Sequence, residues 1–203
     1  MTLSRFGITT TFVDPDDPDN FKSAVKENTR AFFAESLGNP KLDVVDLESI
    51  AKIAETTKVP FIVDNTVATP FLLKPIDYGA NIVIHSLTKY INGNGTAMGG
   101  VIIDSGKFNY GNGLFPEFTE PSPSYHGLNY HEALGPAAFI ARIRVEGLRD
   151  LGAAPSPFNS FQIIQGLETL PVRMEQNSKN ALKLAKWLED QSVVSWVNYP
   201  GLA

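Results

Sequence analysis

Lys89 follows Ser86-Leu87-Thr88, so an amine stands beside two hydroxyls within four residues. A lysine desolvated at a strand end has a lowered pKa and can attack a carbonyl carbon. The two hydroxyls suit a phosphate. Asp64 closes the apolar run Val59-Pro-Phe-Ile-Val63, where a lone carboxylate is costly to bury. A cationic ring nitrogen is one way to pair it. An amine nucleophile, an acid for a pyridinium nitrogen and phosphate donors are together the parts of a pyridoxal phosphate site. Taken singly, each has a plainer reading. Ser-x-Thr-Lys recurs by chance, and Asp64 alone could cap a turn. His85 reads as a hydrogen-bonded residue beneath the site. His126 and His131 lie in an irregular region, and Lys74 and Lys107 lack polar company at a strand end. The combination on successive strands carries the reading.

Such residues need a sheet to bring them together. Ala31-Phe-Phe-Ala34 precedes Glu35-Ser-Leu-Gly-Asn39, and Ala80-Asn-Ile-Val-Ile84 precedes His85-Ser86. The first reads as a short apolar strand; the run before Asp64 and the Ala80 run read as strands buried on both faces. Gly99-Gly-Val-Ile-Ile-Asp104 reads as another. Asp46 is placed to cap a helix over about 47–57, with Leu47, Ile50, Ala51 and Ala54 on one face. Strands alternating with short helices predict an α/β fold with a largely parallel sheet, whose ligands bind beyond the strands' carboxyl ends.

The rest of the chain reads less regularly. Residues 6–13 alternate like a strand. The Asp-rich Val13–Asn20 lacks the turn glycine and closing glutamate of a calcium loop; a turn is expected, with Asp19 or Asn20 capping a helix from Phe21. Residues 106–136 show no period. Helices are expected over 137–151 and 157–191, the second broken near Pro171, with Ala181, Leu184, Ala185 and Leu188 on one face. Val193–Val197 reads as a strand followed by a turn through Ala203. A chain that opens and closes on strands has the pattern of a segment of something larger.

Composition narrows the chemistry. Lys and Arg number 17 against 22 Asp and Glu, a net charge of −5 that argues against a nucleic-acid binder. With no Cys there is no disulfide, thiolate metal site or Cys nucleophile. Three His without a His-Glu-x-x-His helix predict no metal site. No Gly-x-Gly-x-x-Gly or Walker loop supports a generic nucleotide-binding domain. No apolar run approaches the ~18 residues of a membrane span. The opening residues hold no secretory leader, so a cytoplasmic protein is expected.

Val63-Asp-Asn-Thr66, Ala68-Thr-Pro-Phe71 and His85-Ser-Leu-Thr-Lys-Tyr90 resemble the signature of the Cys/Met-metabolism pyridoxal-phosphate enzymes. Ser156-Pro-Phe-Asn159, Gln165-Gly-Leu-Glu-Thr169 and Trp196–Leu202 are similar to that family's downstream segments. Gly111–Pro121 and Pro123–Leu128 look like its O-acetylhomoserine sulfhydrylases. The resemblance implies an aspartate-aminotransferase-like fold of type I. Residues 1–155 would be part of the cofactor-binding large domain, and 156–203 the helical connection and start of a smaller domain. It implies that Lys89 holds pyridoxal 5'-phosphate as a Schiff base and later moves protons. Asp64 would face the ring nitrogen, Ser86 and Thr88 would bind the phosphate, and Asn39 would lie near the phenolic oxygen and the substrate carboxylate. The implied partners are O-acetyl-L-homoserine and sulfide or methanethiol, and the implied assembly is a homotetramer.

Members of that family are longer at both ends. Their upstream phosphate loop, stacking aromatic residue and downstream carboxylate-binding arginine have no matching motif here. Arg142, Arg144 and Arg149 do not match that arginine. Alternatives are therefore a cystathionine γ-synthase or γ-lyase, or an inactive segment that acts only in assembly. Uncovered strand edges and apolar faces motivate the last.

Overall fold

The apolar runs that end in Glu35, Asp64 and Ser86 become three neighbouring strands. In the computed structural model, which describes residues 2–202, β1 (Phe32–Glu35), β2 (Phe61–Asp64), β3 (Ile82–Ser86) and β4 (Gly100–Asp104) form one sheet in chain order. β1 to β3 are parallel, and β4 runs antiparallel at the edge. The parallel α/β fold is as expected, and the carboxyl ends of β1, β2 and β3 lie along one rim.

Register partners share a face of the sheet. Phe32, Ala34, Phe61, Val63, Val83 and His85 fall on one face and are all buried. That face packs against Phe21 of α1 (Asp19–Ser23) and Leu47, Ile50 and Ala54 of α2 (Leu47–Thr57). Burying each large side chain there contributes about 1.5–3 kcal/mol. The helix starts where the sequence places it. Asp46 Oδ1 accepts the Ser49 N–H at 3.0 Å and Oδ2 accepts the Ser49 hydroxyl at 2.7 Å. These bonds hold the Asp46 carboxyl below its ordinary pKa.

The other connections are short or locally built. α3 (Thr69–Leu72) and a 3-10 turn at Pro75–Tyr78 lead from β2 to β3. Residues 106–136 are more ordered than their lack of period suggests. Tyr110, Phe115 and Phe118 of α4 (Pro116–Thr119), Tyr130 of α5 (Tyr130–Leu134) and Ala138 make a separate aromatic core. Rings rather than periodicity order this segment; the centroids of Tyr110 and Phe118 stack 4.2 Å apart. Next, α6 (Ala138–Arg142) passes through a π-helical stretch, Ile143–Leu148, into α7 (Arg149–Leu151). α8 (Pro157–Glu168) starts on Ser156, whose hydroxyl accepts the Asn159 N–H at 3.1 Å. α9 (Leu170–Glu189) begins after a break at Thr169, with Pro171 in its first turn, as expected.

Several expectations are corrected. Residues 6–13 form no strand: Phe6 ends a 3-10 turn at Leu3–Phe6 and 8–13 run without regular structure, mostly exposed, because alternation without a neighbouring strand makes no ladder. Neither Asp19 nor Asn20 caps α1; the Asp19 N–H instead bonds Asp17 Oδ1 at 3.0 Å. β4 is not buried on both faces, since Gly100, Ile102 and Ile103 are exposed at the sheet edge. Of the proposed face on α9 only Ala185 is buried, and Leu184 is exposed. Among the described residues, 193–197 form no strand, and the chain turns through a 3-10 helix at Pro200–Leu202; Ala203 lies outside the described residues. Among the described residues no helix is long and apolar enough to cross a membrane.

Candidate active site

Side chains lace the strand ends together. Asp64 Oδ1 accepts the Thr66 N–H at 2.8 Å, and Thr66 Oγ1 accepts the Ser86 N–H at 2.8 Å, joining the end of β2 to that of β3. Asn65 is fully buried behind them. Its Oδ1 accepts the Ser36 hydroxyl at 2.7 Å, and its Nδ2 donates to the carbonyls of Thr69 at 3.0 Å and Leu73 at 2.8 Å. An amide so fully used holds β1, β2 and the following helix in one arrangement. Sequence reasoning gave no role to Asn65 or Thr66. Their place in Val63-Asp-Asn-Thr66, directly after the strand-ending acid, was the signal available.

Register places Glu35 beside Asp64, and Asp64 beside Ile84. Ser86, two residues beyond Ile84, therefore shares the face of Asp64. Among the described residues, Asp64 Oδ2, the Ser86 hydroxyl and the Lys89 amine make no hydrogen bond or ion pair with the rest of the chain. The Thr88 hydroxyl differs. It accepts the Gly99 N–H at 3.2 Å and points its hydrogen at the Gly99 carbonyl across a long 3.4 Å. That weak second bond is easily exchanged for a better acceptor.

Lys89 lies on the turn that leaves β3, its carbonyl accepting the Gly93 N–H at 2.8 Å. It is exposed, which corrects the expectation of a lysine desolvated by the sheet. The amine has left the strand for the turn, so the sheet does not cover it. Asn39 is exposed on the turn after β1, and its N–H bonds Glu35 Oε2 at 3.2 Å. The structure thus brings Asp64, Ser86, Thr88 and Lys89 to the ends of two adjacent strands. It hangs Asn39 from the strand next to them, on the residue paired with Asp64.

His85 lies beneath this rim on the covered face, 5% exposed. Its Nδ1 has no hydrogen-bond partner among the described residues. Burial pushes its pKa below the ordinary value, against the pull of the Asn65 backbone and the Asp64 charge. Its place beneath the site is as expected, but the hydrogen bond expected of it is not found at Nδ1.

The donor set suits pyridoxal phosphate: a free carboxylate oxygen for a cationic ring nitrogen, a free hydroxyl and a weakly held one for phosphate oxygens, and an unpaired amine for an aldehyde. Among the described residues no three His, Asp or Glu gather as metal ligands would.

Known proteins resemble this chain along its whole length. The sequence model of the Cys/Met metabolism PLP-dependent enzyme family matches residues 1–203. An O-acetyl-L-homoserine sulfhydrylase of Leptospira meyeri is 53% identical over 100% of this chain and 48% of its own length. A homocysteine/cysteine synthase of Saccharomyces cerevisiae is 50% identical over 100% of this chain and 46% of its own. A solved structure of a putative O-acetylhomoserine (thiol)-lyase from Campylobacter jejuni superposes with a TM-score of 0.95 at 44% identity. It covers 100% of this chain and 50% of the other, which carries a pyridoxyl-lysine monophosphate. The chain spans about half the length of the curated relatives it matches. A match along its whole length, with a sheet rim that fits the cofactor, makes this chain a member of the Cys/Met metabolism PLP-dependent enzyme family.

Proposed function

We propose that the chain is the cofactor-bearing part of an O-acetyl-L-homoserine sulfhydrylase. The reaction replaces a γ substituent. The bond from Cγ to the acetate oxygen breaks, a bond from Cγ to sulfur forms, and sulfide yields homocysteine while methanethiol yields methionine. The observation that carries the reading is the shared rim, where Asp64, Ser86, Thr88 and Lys89 close two adjacent parallel strands with acceptor and donor atoms to spare.

Pyridoxal phosphate, when bound, supplies an electron sink for charge that develops next to the amino-acid nitrogen. Asp64 Oδ2 accepts the ring N–H, while the Thr66 bond at Oδ1 keeps the carboxylate from turning away. The Ser86 and Thr88 hydroxyls donate to phosphate oxygens. Lys89 holds the aldehyde carbon and, once its amine is released, moves protons between the substrate carbons. Asn39 orients the phenolic side and the substrate carboxylate. On this reading residues 1–155 belong to the cofactor-binding domain and 156–203 lead into a smaller one. The assembly is a cytoplasmic homotetramer, whose mass sedimentation reads directly.

The test is an absorbance titration of the chain with pyridoxal phosphate, followed by borohydride trapping and peptide mapping. A reduced adduct on Lys89, lost in Lys89→Ala, is expected. An adduct that persists in Lys89→Ala, or spreads evenly over all lysines, overturns the reading. In a chain that turns over, a preference for cysteine over sulfide as acceptor would reassign it as a cystathionine γ-synthase.

A further inference from the structure

The turn that carries Lys89 is held by a residue far along the chain. Arg173, in the first turns of α9, reaches back 83 residues. Its Nη1 donates to the Tyr90 carbonyl at 2.8 Å, and its Nη2 to the carbonyls of Gly166 at 2.7 Å and Ile91 at 3.4 Å. Its Nε donates to the Thr169 hydroxyl at 3.1 Å. Among the described residues no carboxylate pairs with it. The two Nη atoms thus serve backbone alone: the two carbonyls just after Lys89 and, on α8, the Gly166 carbonyl, which also accepts the Thr169 hydroxyl at 3.3 Å.

Packing around the fork points the same way. Gly166 of α8 lies against the Asn92 backbone so closely that a Cβ would overlap the Asn92 carbonyl. Gly93, with φ +72°, leaves the space that the guanidinium fills. Ile163, Leu170 and Met174 bury Ile91 and Ala97, with Leu87 packed on the cluster. Within the turn, the Asn92 N–H bonds the Leu87 carbonyl at 3.0 Å and the Gly93 N–H bonds that of Lys89 at 2.8 Å. The backbone of Lys89 is therefore fixed from both sides, while its side chain is exposed. A long flexible side chain delivers its amine to one place only if its backbone is fixed.

We propose that Arg173 is a positioning residue for Lys89, bolting the turn that carries the amine to the elbow between α8 and α9. This role rests on the reading of Lys89 as the covalent lysine. It is deeper than stability, because the fork joins the site to the helices that follow it in the chain.

The test compares the 203-residue chain with Arg173→Met and Arg173→Lys by two readouts. Without cofactor, hydrogen exchange at the Asn92 and Gly93 amides should quicken about tenfold in Arg173→Met, while Val63 and Val83 change less than about twofold. After pyridoxal phosphate and borohydride, the share of label on Lys89 relative to exposed Lys183 should fall about threefold or more. Arg173→Lys should restore part of both, since one ammonium reaches some of the carbonyls. Unchanged labelling in Arg173→Met overturns the positioning role alone. So does a loss of protection that spreads equally into β2 and β3, or a failure of either variant to fold, for Arg173 is then a keystone of the whole fold. A wild-type chain without preference for Lys89 overturns the reading of that lysine and the positioning role with it, whatever the exchange shows.

Discussion

The two faces of the sheet are made by the same strands and do different work. On the covered face Phe61 is 0% exposed, and with Val63 and Val83 it meets α1 and α2. The other face opens at β1, where Phe33, its backbone paired with Ile62, is 54% exposed although Ile82 in the same row is buried, and it ends in Glu35, Asp64 and Ser86. Apolar burial sets the stability of the first. The second keeps atoms unpaired at its rim, at some cost in stability, so that they can meet something else. The same alternation of side chains generates both, so the covering helices decide which face becomes core.

The contrast can be broken by substitution. Phe61→Ala should lose about 3–5 kcal/mol in chemical denaturation, whereas Phe33→Ala on the open face should stay within about 0.5 kcal/mol. Equal losses would mean that the open face is covered in solution. Asn65→Ala strands the Leu73 carbonyl and the Ser36 hydroxyl, leaves the Thr69 carbonyl only the Leu73 N–H at 3.2 Å, and should cost about 2–3 kcal/mol. Asp46→Ala removes the cap of α2 and should cost about 1 kcal/mol, with Asp46→Asn recovering most of it. Because bonds to Ser49 depress the Asp46 pKa, its charged contribution is complete above the ordinary value of 3.8 and fades as pH falls through the lower folded value.

His85 provides a pH test of the boundary between the faces. Burial depresses its pKa, so the unfolded chain binds the proton first as pH falls below the ordinary value of 6.5. Stability should be full above that value and decline below it, toward the depressed folded pKa. His85→Asn should remove that slope in pH-dependent melting. A slope that survives belongs to other groups. The smallest change in melting, within about 0.5 kcal/mol, is expected for Asp64→Asn, which keeps an acceptor for the Thr66 N–H. The trapped adduct on Lys89 should nevertheless drop, since the partner of the ring nitrogen is lost.

Much of this was legible in residue order. Asp46 and the apolar positions behind it set the start and the buried side of α2, because a cap and a 3.6-residue period are local properties. The strands before Asp64 and Ser86 read correctly for the same reason, as did the break near Pro171. Residues 6–13 and 193–197 misled because a strand exists only through a partner. β4 misled because an apolar run does not say whether anything covers it. The link from Arg173 to the turn of Lys89 had no local signal, since the Tyr90 and Ile91 carbonyls lie 83 and 82 residues away.

The sequence by itself determined which chemical groups this protein carries and the short elements that end on them, because both depend on neighbours a few residues apart. Only the tertiary structure decided that Asp64 and Ser86 share a face, that Lys89 stands outside the sheet on a turn, and that Asn65 and Arg173 hold the rim and the turn in place. Those outcomes depend on strand order, register and the path of distant helices. They are settled by packing and by the need of buried polar groups for partners, which no local stretch of sequence contains.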